Sequence, residues 1–441
     1  GTVSGLELAL AKYGTMRRAD LIAPAIRYAE QGFVLDQGDA DMFATATDAF
    51  KADAATAAIF LKNGSAAYVT GDRLVQRDLG QTLRQIRDSG AAGFYKGPVA
   101  EAIVASSQAG KGILTQADLD QYQTREFAPV ECDYRGFHVV SAPPPSSGGV
   151  IICEILNVLE GYPLKEWGFR SAQAVHVQIE AMRHAYVDRN SYLGDPEFVK
   201  NPLDRLLDKA YAAKIRAAID PAKAAISKDL KPGVPPHEGS NTTHYSIVDS
   251  KGNAVAVTYT LNDWFGAKVT AAKTGVLLND EMDDFTAKLG VPNIYGLVQG
   301  EANAIAPGKR PLSSMSPTIV TKDGKPVMVV GTPGGSRIIT AVLHTIINVI
   351  DYGMNVQEAV DAPRFHQQWL PNPTNIEPFA LSPDTKKILE GMGHVFGNPQ
   401  PANHVAAILV GAPSIGGKPV GNNRYYGAND PRRNSGLALG Y

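Results

Sequence analysis

Cysteine is nearly absent: the 441 residues include two, Cys132 and Cys153. Two are too few for a disulfide framework, and neither has the spacing of a metal site or a redox pair. Cys132 opens a strand pattern and Cys153 sits in an apolar helical one, so two buried free thiols are expected rather than a bridge. An excess of one charge is missing too. A formal charge of -2 with 20% charged residues leaves no basic field for nucleic acid and no acidic tail. No apolar run approaches the roughly 20 residues of a membrane span. Gly1 stands first, and no charged-then-apolar leader follows it. Gly-x-Ser-x-Gly elbows, nucleotide loops and zinc-protease helices are absent, and no histidine sits in a recognisable triad context. What is there, at 44% hydrophobic residues, is a chain able to bury one large core or two, of soluble globular type.

The first part reads as helical. Leu6 to Tyr13, Leu21 to Gln31, Leu79 to Ser89 and Val99 to Ala109 carry apolar residues at three- and four-residue steps. Thr115 with Asp118 three residues on predicts a short capped helix. Strands are expected at Val130 to Tyr134 and Gly136 to Ser141. Pro143-Pro144-Pro145-Ser146-Ser147-Gly148-Gly149 follows and opens an apolar helix, Val150 to Leu159. Its glycines serve either a close-packed corner or an anion, and the corner is the commoner use. Ser171 to Val187 is a long helix with His176 and His184 on one face, expected as solvated or packed histidines. Pro202 to Ile219 is helical again. Further on, a hairpin is predicted from Thr318 to Val330, turned at Lys322-Asp323-Gly324-Lys325, and then a helix from Arg337 to Tyr352 stopped by Gly353. Helix-flanked hairpins imply α/β layers with a largely antiparallel sheet.

Between these halves a turn-prone stretch, Pro232 to Ser240, runs into Asn241-Thr242-Thr243-His244-Tyr245-Ser246-Ile247-Val248. Tyr245, Ile247 and Ala254 to Tyr259 alternate as a buried hairpin would. Thr-Thr pairs are usually plain β-branched strand residues. A flexible loop feeding threonines into a strand also fits a chain that cuts itself before Thr242. That threonine would then carry both hydroxyl and free α-amine, and an amine with a pKa of about 7.7 to 8.0 can serve as the hydroxyl's base.

Residues downstream supply what such a nucleophile needs. Gly334 and Gly335 lie where a strand ends and a helix begins, so their N–H groups can hold an oxyanion; a tight turn requiring glycine is the alternative use. Asn262, Glu281 and Asp284 offer acceptors for an ammonium group, and Ser313 and Ser314 offer hydroxyls for a carboxylate. Together these groups would fit the zwitterionic head of an amino acid, with an acyl carbon beyond it.

Five segments make the pattern specific: Thr242 to Ser246, Gly252 to Asn262, Met282-Asp283-Asp284-Phe285, Pro311 to Ile319 and Pro333 to Ile338. They closely resemble the small subunit of the γ-glutamyltranspeptidases, N-terminal nucleophile (Ntn) hydrolases that autoprocess into a large and a small subunit. Tyr134-Arg135-Gly136, Pro143 to Gly149 and Tyr192 to Pro196 resemble the large subunit. The resemblance implies a four-layer αββα sandwich with mainly antiparallel sheets, and a cut at Asn241–Thr242 into 1–241 and 242–441, which remain together as a heterodimer. It implies Thr242 as nucleophile, Thr260 orienting it, and Gly334 with Gly335 as the oxyanion hole. Asn262, Glu281 and Asp284 would bind the α-ammonium, Ser313 and Ser314 the α-carboxylate, and Tyr295 would act in a lid over Leu289 to Gly300, bonding to the Asn262 side chain. Substrates would be glutathione and other γ-glutamyl compounds, with amino acids or peptides as acceptors, no cofactor or metal, no nucleic acid, and a periplasmic or secreted location.

Two departures accompany the resemblance. The chain is expected to begin inside the large subunit, without the family's carboxylate-binding arginine. Asp263-Trp264 also follows Asn262 where relatives carry small polar residues, and the tryptophan either shapes the acceptor side or packs under the lid. Two other readings keep most of the pattern: a cephalosporin (glutaryl) acylase, and an uncut, noncatalytic protein that binds γ-glutamyl peptides.

Overall fold

The computed structural model describes residues 1–230, 242–401, 403–411, 424–433 and 436–440. Asn241 and the stretch from Pro232 to Ser240 lie outside them. The chain divides into two compact units, one of residues 1–127 and 263–280, the other of residues 128–262 and 281–441. The expected division at 241/242 concerns where the backbone is cut, which is a separate matter from how it packs.

In the first unit the expected helices are found as Thr2–Tyr13, Arg18–Gln31, Arg77–Ser89 and Gly97–Ala109. Thr115 and Asp118 form the reciprocal cap of Gln116–Asp120. Beside the single turn Ala92–Tyr95, two helices escaped the sequence reading, Gln37–Phe50 and Ala54–Phe60. The two longer ones are rich in alanine, which blurs apolar periodicity; Asp36 and Asp53 cap them. Their phenylalanines pack with Phe265, which stacks on Phe43 at 5.3 Å and meets Phe50 edge-on at 4.9 Å.

The second unit is built on one antiparallel sheet. Its strands are Val130–Tyr134 (β1), Phe137–Ser141 (β2), Thr318–Lys322 (β5), Lys325–Gly331 (β6), Ala406–Val410 (β7) and Tyr425–Asn429 (β8), in the order β8-β7-β6-β5-β2-β1. The β5–β6 turn has Asp323 at φ 50° and Gly324 at φ 73°, the left-handed pair that a two-residue hairpin requires. A separate hairpin, Thr243–Val248 (β3) with Ala254–Tyr259 (β4), packs against β6 and β7. Helices Gly148–Leu159 (α1) and Arg337–Ile350 (α3) pack on the six-stranded sheet, and Ala172–Tyr192 (α2) packs on α1. Helix, sheet and second sheet thus follow in layers, as expected for this fold class. Every residue of α1 is buried. The corner reading of its glycines holds: a Cβ on Gly148 would sit 2.2 Å from Ser316 Oγ, and one on Gly149 2.5 Å from the Ala142 carbonyl.

The structure differs from two expectations. Cys132 and Cys153 are joined in a disulfide, not left as free thiols. Helix α1 lies directly over β1, bringing the two Cα atoms to 5.8 Å, a proximity that a 21-residue separation in sequence gave no sign of. The β3–β4 hairpin also faces the opposite way from its apolar alternation. Tyr245, Ile247, Val255 and Tyr259 are 37% to 53% exposed, whereas Thr242 and His244 are buried. Polar residues point inward because the sheet beneath offers them both hydrogen bonds and a glycine seat.

A bridge closing that 21-residue separation contributes about 3 kcal/mol by loop entropy. Thiol titration in denaturant should therefore find no reactive cysteine before reduction and two after it; two before reduction would mean the bridge does not form.

Candidate active site

Thr242 precedes β3 and is 8% exposed. Its Oγ1 lies 3.4 Å from Thr260 Oγ1, just beyond the end of β4. The Thr260 hydroxyl also accepts the backbone N–H of Asn262 at 2.8 Å, which folds the chain back into a left-handed residue, Asn262 at φ 76°. The Asn262 carbonyl accepts the Tyr295 hydroxyl at 2.7 Å. The sequence reading expected Tyr295 to bond to the Asn262 side chain; a bond to its backbone carbonyl is present. Tyr295 in turn lies flat on Gly335, where an added Cβ would fall 2.3 Å from the ring. A continuous path of contacts therefore joins Thr242, Thr260, Asn262, Tyr295 and Gly335.

Gly334 and Gly335 stand at φ 128° and φ 56°, between β6 and α3. Gly334 backs onto Asn403, whose side-chain atoms would lie 2.2 to 2.4 Å from an added Cβ. Asn403 also lines a cavity of about 20 Å³, with Arg337, Thr340, Arg364, His366 and Glu377 around it, enough for about one water. The turn is held from the other side by Tyr186 on α2, whose hydroxyl donates to the Ser336 carbonyl at 2.5 Å. Ser336 Oγ donates to Gln368 Oε1 at 2.5 Å, and Gln368 Nε2 donates to the Tyr295 carbonyl at 3.1 Å.

A second group forms around Arg189, one helical turn beyond Tyr186 on the same face of α2. Its guanidinium donates to Ser147 Oγ at 2.9 Å, Asn190 Oδ1 at 2.9 Å, Gln299 Oε1 at 3.1 Å and Ser314 Oγ at 3.0 Å. Gln299 and Asn303 both donate to the Asp284 carbonyl, at 2.9 and 2.7 Å. Glu281 and Asp284 are the two ends of one 3-10 turn, Glu281–Asp284. Ser313 is tied to the proline-rich corner: its N–H donates to Pro145, and its carbonyl accepts from Ser147. The Ser313 Oγ accepts the Met315 N–H at 3.0 Å. Asp263 and Trp264 fall in the other compact unit, where Asp263 pairs with Lys268 at 2.5 Å.

His244 explains why the hairpin is inverted. Ser246 Oγ donates to the Ala406 carbonyl at 3.3 Å, so it accepts from His244 Nε2 at 3.1 Å, and His244 Nδ1 accepts from Thr258 Oγ1 at 2.7 Å. The ring is a neutral tautomer seated on Gly331, where a Cβ would come within 2.1 Å of it. Burial, with a smaller contribution from His404, pushes its pKa down to about 3.

His176 and Glu180 meet His394 with their ligating atoms inside 4.8 Å. His176 Nε2 donates to the Asp220 carbonyl, so its Nδ1 accepts from His394 Nε2 at 2.7 Å. Glu180 accepts from Arg183 Nε and the Ala225 N–H. These groups are engaged with one another and with a neighbouring cation, so the cluster is a polar tie between α2 and the segment after helix Pro383–Gly391; His176 is a packed histidine, one of the two expected outcomes. Sequence reasoning missed Arg189, Tyr186, Gln299 and Asn403. The only signal was charge and amide groups on otherwise apolar elements.

His244 binds a proton in the unfolded chain near the ordinary pKa of 6.5 and in the folded one only near 3. The unfolded state thus holds more protons between those values, and stability falls as pH drops through that window. Thermal melts should show a shallower acid decline in His244→Gln than in the parent; parallel declines would assign the acid sensitivity elsewhere.

Residues 1–440 match the family model described as Gamma-glutamyltranspeptidase. A glutathione hydrolase proenzyme of Pseudomonas sp. (strain A14) is 74% identical over 441 residues, all of this chain and 77% of the relative. One from Escherichia coli (strain K12) is 48% identical over 443 residues, covering all of this chain and 74% of the relative. The crystal structure of a cephalosporin acylase from Bacillus halodurans superposes with a TM-score of 0.83 at 26% identity, covering 99% of this chain and 77% of that one. The α/β fold is thus that of the Ntn hydrolases, and the chain belongs to the γ-glutamyltranspeptidase family.

Proposed function

We propose that this chain transfers and hydrolyses γ-glutamyl groups of glutathione and related compounds through a covalent intermediate on Thr242, after cleavage at Asn241–Thr242 into 1–241 and 242–441. The observation that carries the assignment is the path from Thr242 through Thr260, Asn262 and Tyr295 to Gly335. It supports this reading by linking the Thr242 and Thr260 hydroxyls to the Gly334–Gly335 turn through hydrogen bonds and one packing contact.

The freed Thr242 amine takes the hydroxyl proton as Oγ1 attacks the γ-carbonyl carbon. Thr260, 3.4 Å away, holds that hydroxyl in line. The N–H groups of Gly334 and Gly335 donate hydrogen bonds to the developing oxyanion; each such donor is worth about 2.7 to 4 kcal/mol of barrier. The C–N bond then breaks and the departing amine takes the proton from the Thr242 ammonium. Water or an acceptor amine attacks the ester and gives its proton to the Thr242 α-amine, which returns it to Oγ1 as the ester C–O bond breaks. Asn262, Glu281 and Asp284 bind the α-ammonium, and Ser313 and Ser314 the α-carboxylate. Tyr295 serves as lid and as floor of the oxyanion turn. No helix of the described residues is long and apolar enough to cross a membrane. The Cys132–Cys153 bridge favours an oxidising compartment, in keeping with a periplasmic or secreted enzyme.

Thr242→Ala should leave one continuous, inactive chain on a denaturing gel, whereas two fragments with retained turnover would remove Thr242 from the chemistry. The similarity to a cephalosporin acylase keeps a glutaryl substrate in view. With γ-glutamyl and glutaryl anilides side by side, the three ammonium acceptors predict that the γ-glutamyl compound is preferred; equal turnover would favour the acylase reading.

A further inference from the structure

Arg189 is fully buried, yet its four hydrogen-bond partners are neutral oxygens. Burying a cation costs several kcal/mol unless something opposite in charge repays it. Asp284 acts on the guanidinium through space, and burial lowers its pKa only to about 10, so it stays charged at neutral pH. One arm of the guanidinium reaches Ser314 Oγ. The other reaches Gln299 Oε1, and the Gln299 amide and Asn303 carry that connection to the Asp284 carbonyl. One cation therefore supports a hydroxyl read above as a carboxylate donor and a backbone that presents an ammonium acceptor.

The chemistry at Ser314 has a direction. Its oxygen accepts from Arg189, so the hydroxyl proton is left to donate elsewhere. An O–H whose oxygen already accepts from a cation is a stronger donor, above all toward an anion. We infer that Arg189 is a positioning residue for the substrate's α-carboxylate: it orients the Ser314 hydroxyl toward that group and supplies the buried positive charge that the carboxylate pairs with across Ser314. This rests on the reading of Ser313 and Ser314 as the carboxylate subsite. It also gives the α-carboxylate a cationic counterpart within residues 128–262 and 281–441.

The test compares γ-glutamyl anilide with 4-aminobutyryl anilide, which keeps the ammonium and lacks the carboxylate, in the full-length processed protein. Arg189→Gln and Arg189→Lys should lower kcat/KM for the γ-glutamyl compound by about 10- to 100-fold, the range of a lost hydrogen bond to a charged group, mostly through KM. The 4-aminobutyryl compound, which still uses the ammonium acceptors that Arg189 supports through Gln299, should lose at least about 10-fold less, so the parent's preference collapses. That ratio does not depend on how much of a variant matures, which protects the test if Arg189→Gln folds poorly. Ser314→Ala should produce the same collapse, and adding Arg189→Lys to it should cost little more. Equal losses on both substrates, an intact preference, or additive losses in the double variant would each overturn the proposal. A parent enzyme with no preference between the two anilides would refute the carboxylate subsite itself, and the role of Arg189 with it.

Discussion

A buried guanidinium on α2 is the constraint on which the arrangement of this site turns. Arg189 cannot shed its charge at neutral pH and cannot reach water, so every oxygen within reach must turn toward it. Ser147, Gln299 and Ser314 come from the proline-rich corner, the loop after Tyr295 and the segment leading into β5. None of these three segments has regular structure to hold it, and the shared cation gives them a common anchor. One turn earlier, Tyr186 does the same for the Gly334–Gly335 turn through the Ser336 carbonyl. A single helix face thus registers two groups of residues whose spacing a bound substrate would have to match.

Close packing does the rest. The Tyr295 ring lies on Gly335, Asn403 on Gly334 and His244 on Gly331, each at a distance no side chain could share. These three glycines lie on one stretch, from the end of β6 to the start of α3, and each is needed for what rests on it as much as for its own backbone. That is a stronger requirement than a tight turn alone. It also accounts for the inverted hairpin: with Gly331 under it, the inner face of β3 takes an imidazole in place of the tyrosine and isoleucine that alternation assigned there.

Local signals in the sequence were read correctly where the physics was local. Asp323-Gly324 announced its hairpin, Thr115 and Asp118 their cap, and Gly353, at φ 65°, the end of α3. Helices built on alanine, Gln37–Phe50 and Ala54–Phe60, gave no such signal, because alanine marks neither face of a helix. The Cys132–Cys153 bridge was misjudged for a different reason: residue context describes burial, whereas a disulfide depends on where two elements cross.

The sequence by itself determined most of the helices and strands and the α/β class, since these rest on residue type and short spacing, while the roles of its threonine, glycines, carboxylates and serines came as expectations from a family resemblance. Only the tertiary structure decided that Arg189 joins Ser314 to the support of Asp284, that Tyr295 holds the Asn262 backbone, and that His244 faces inward. Those choices come from which charge is buried and which glycine lies beneath a ring. Such facts arise between segments 33 to 125 residues apart, where no periodicity reaches.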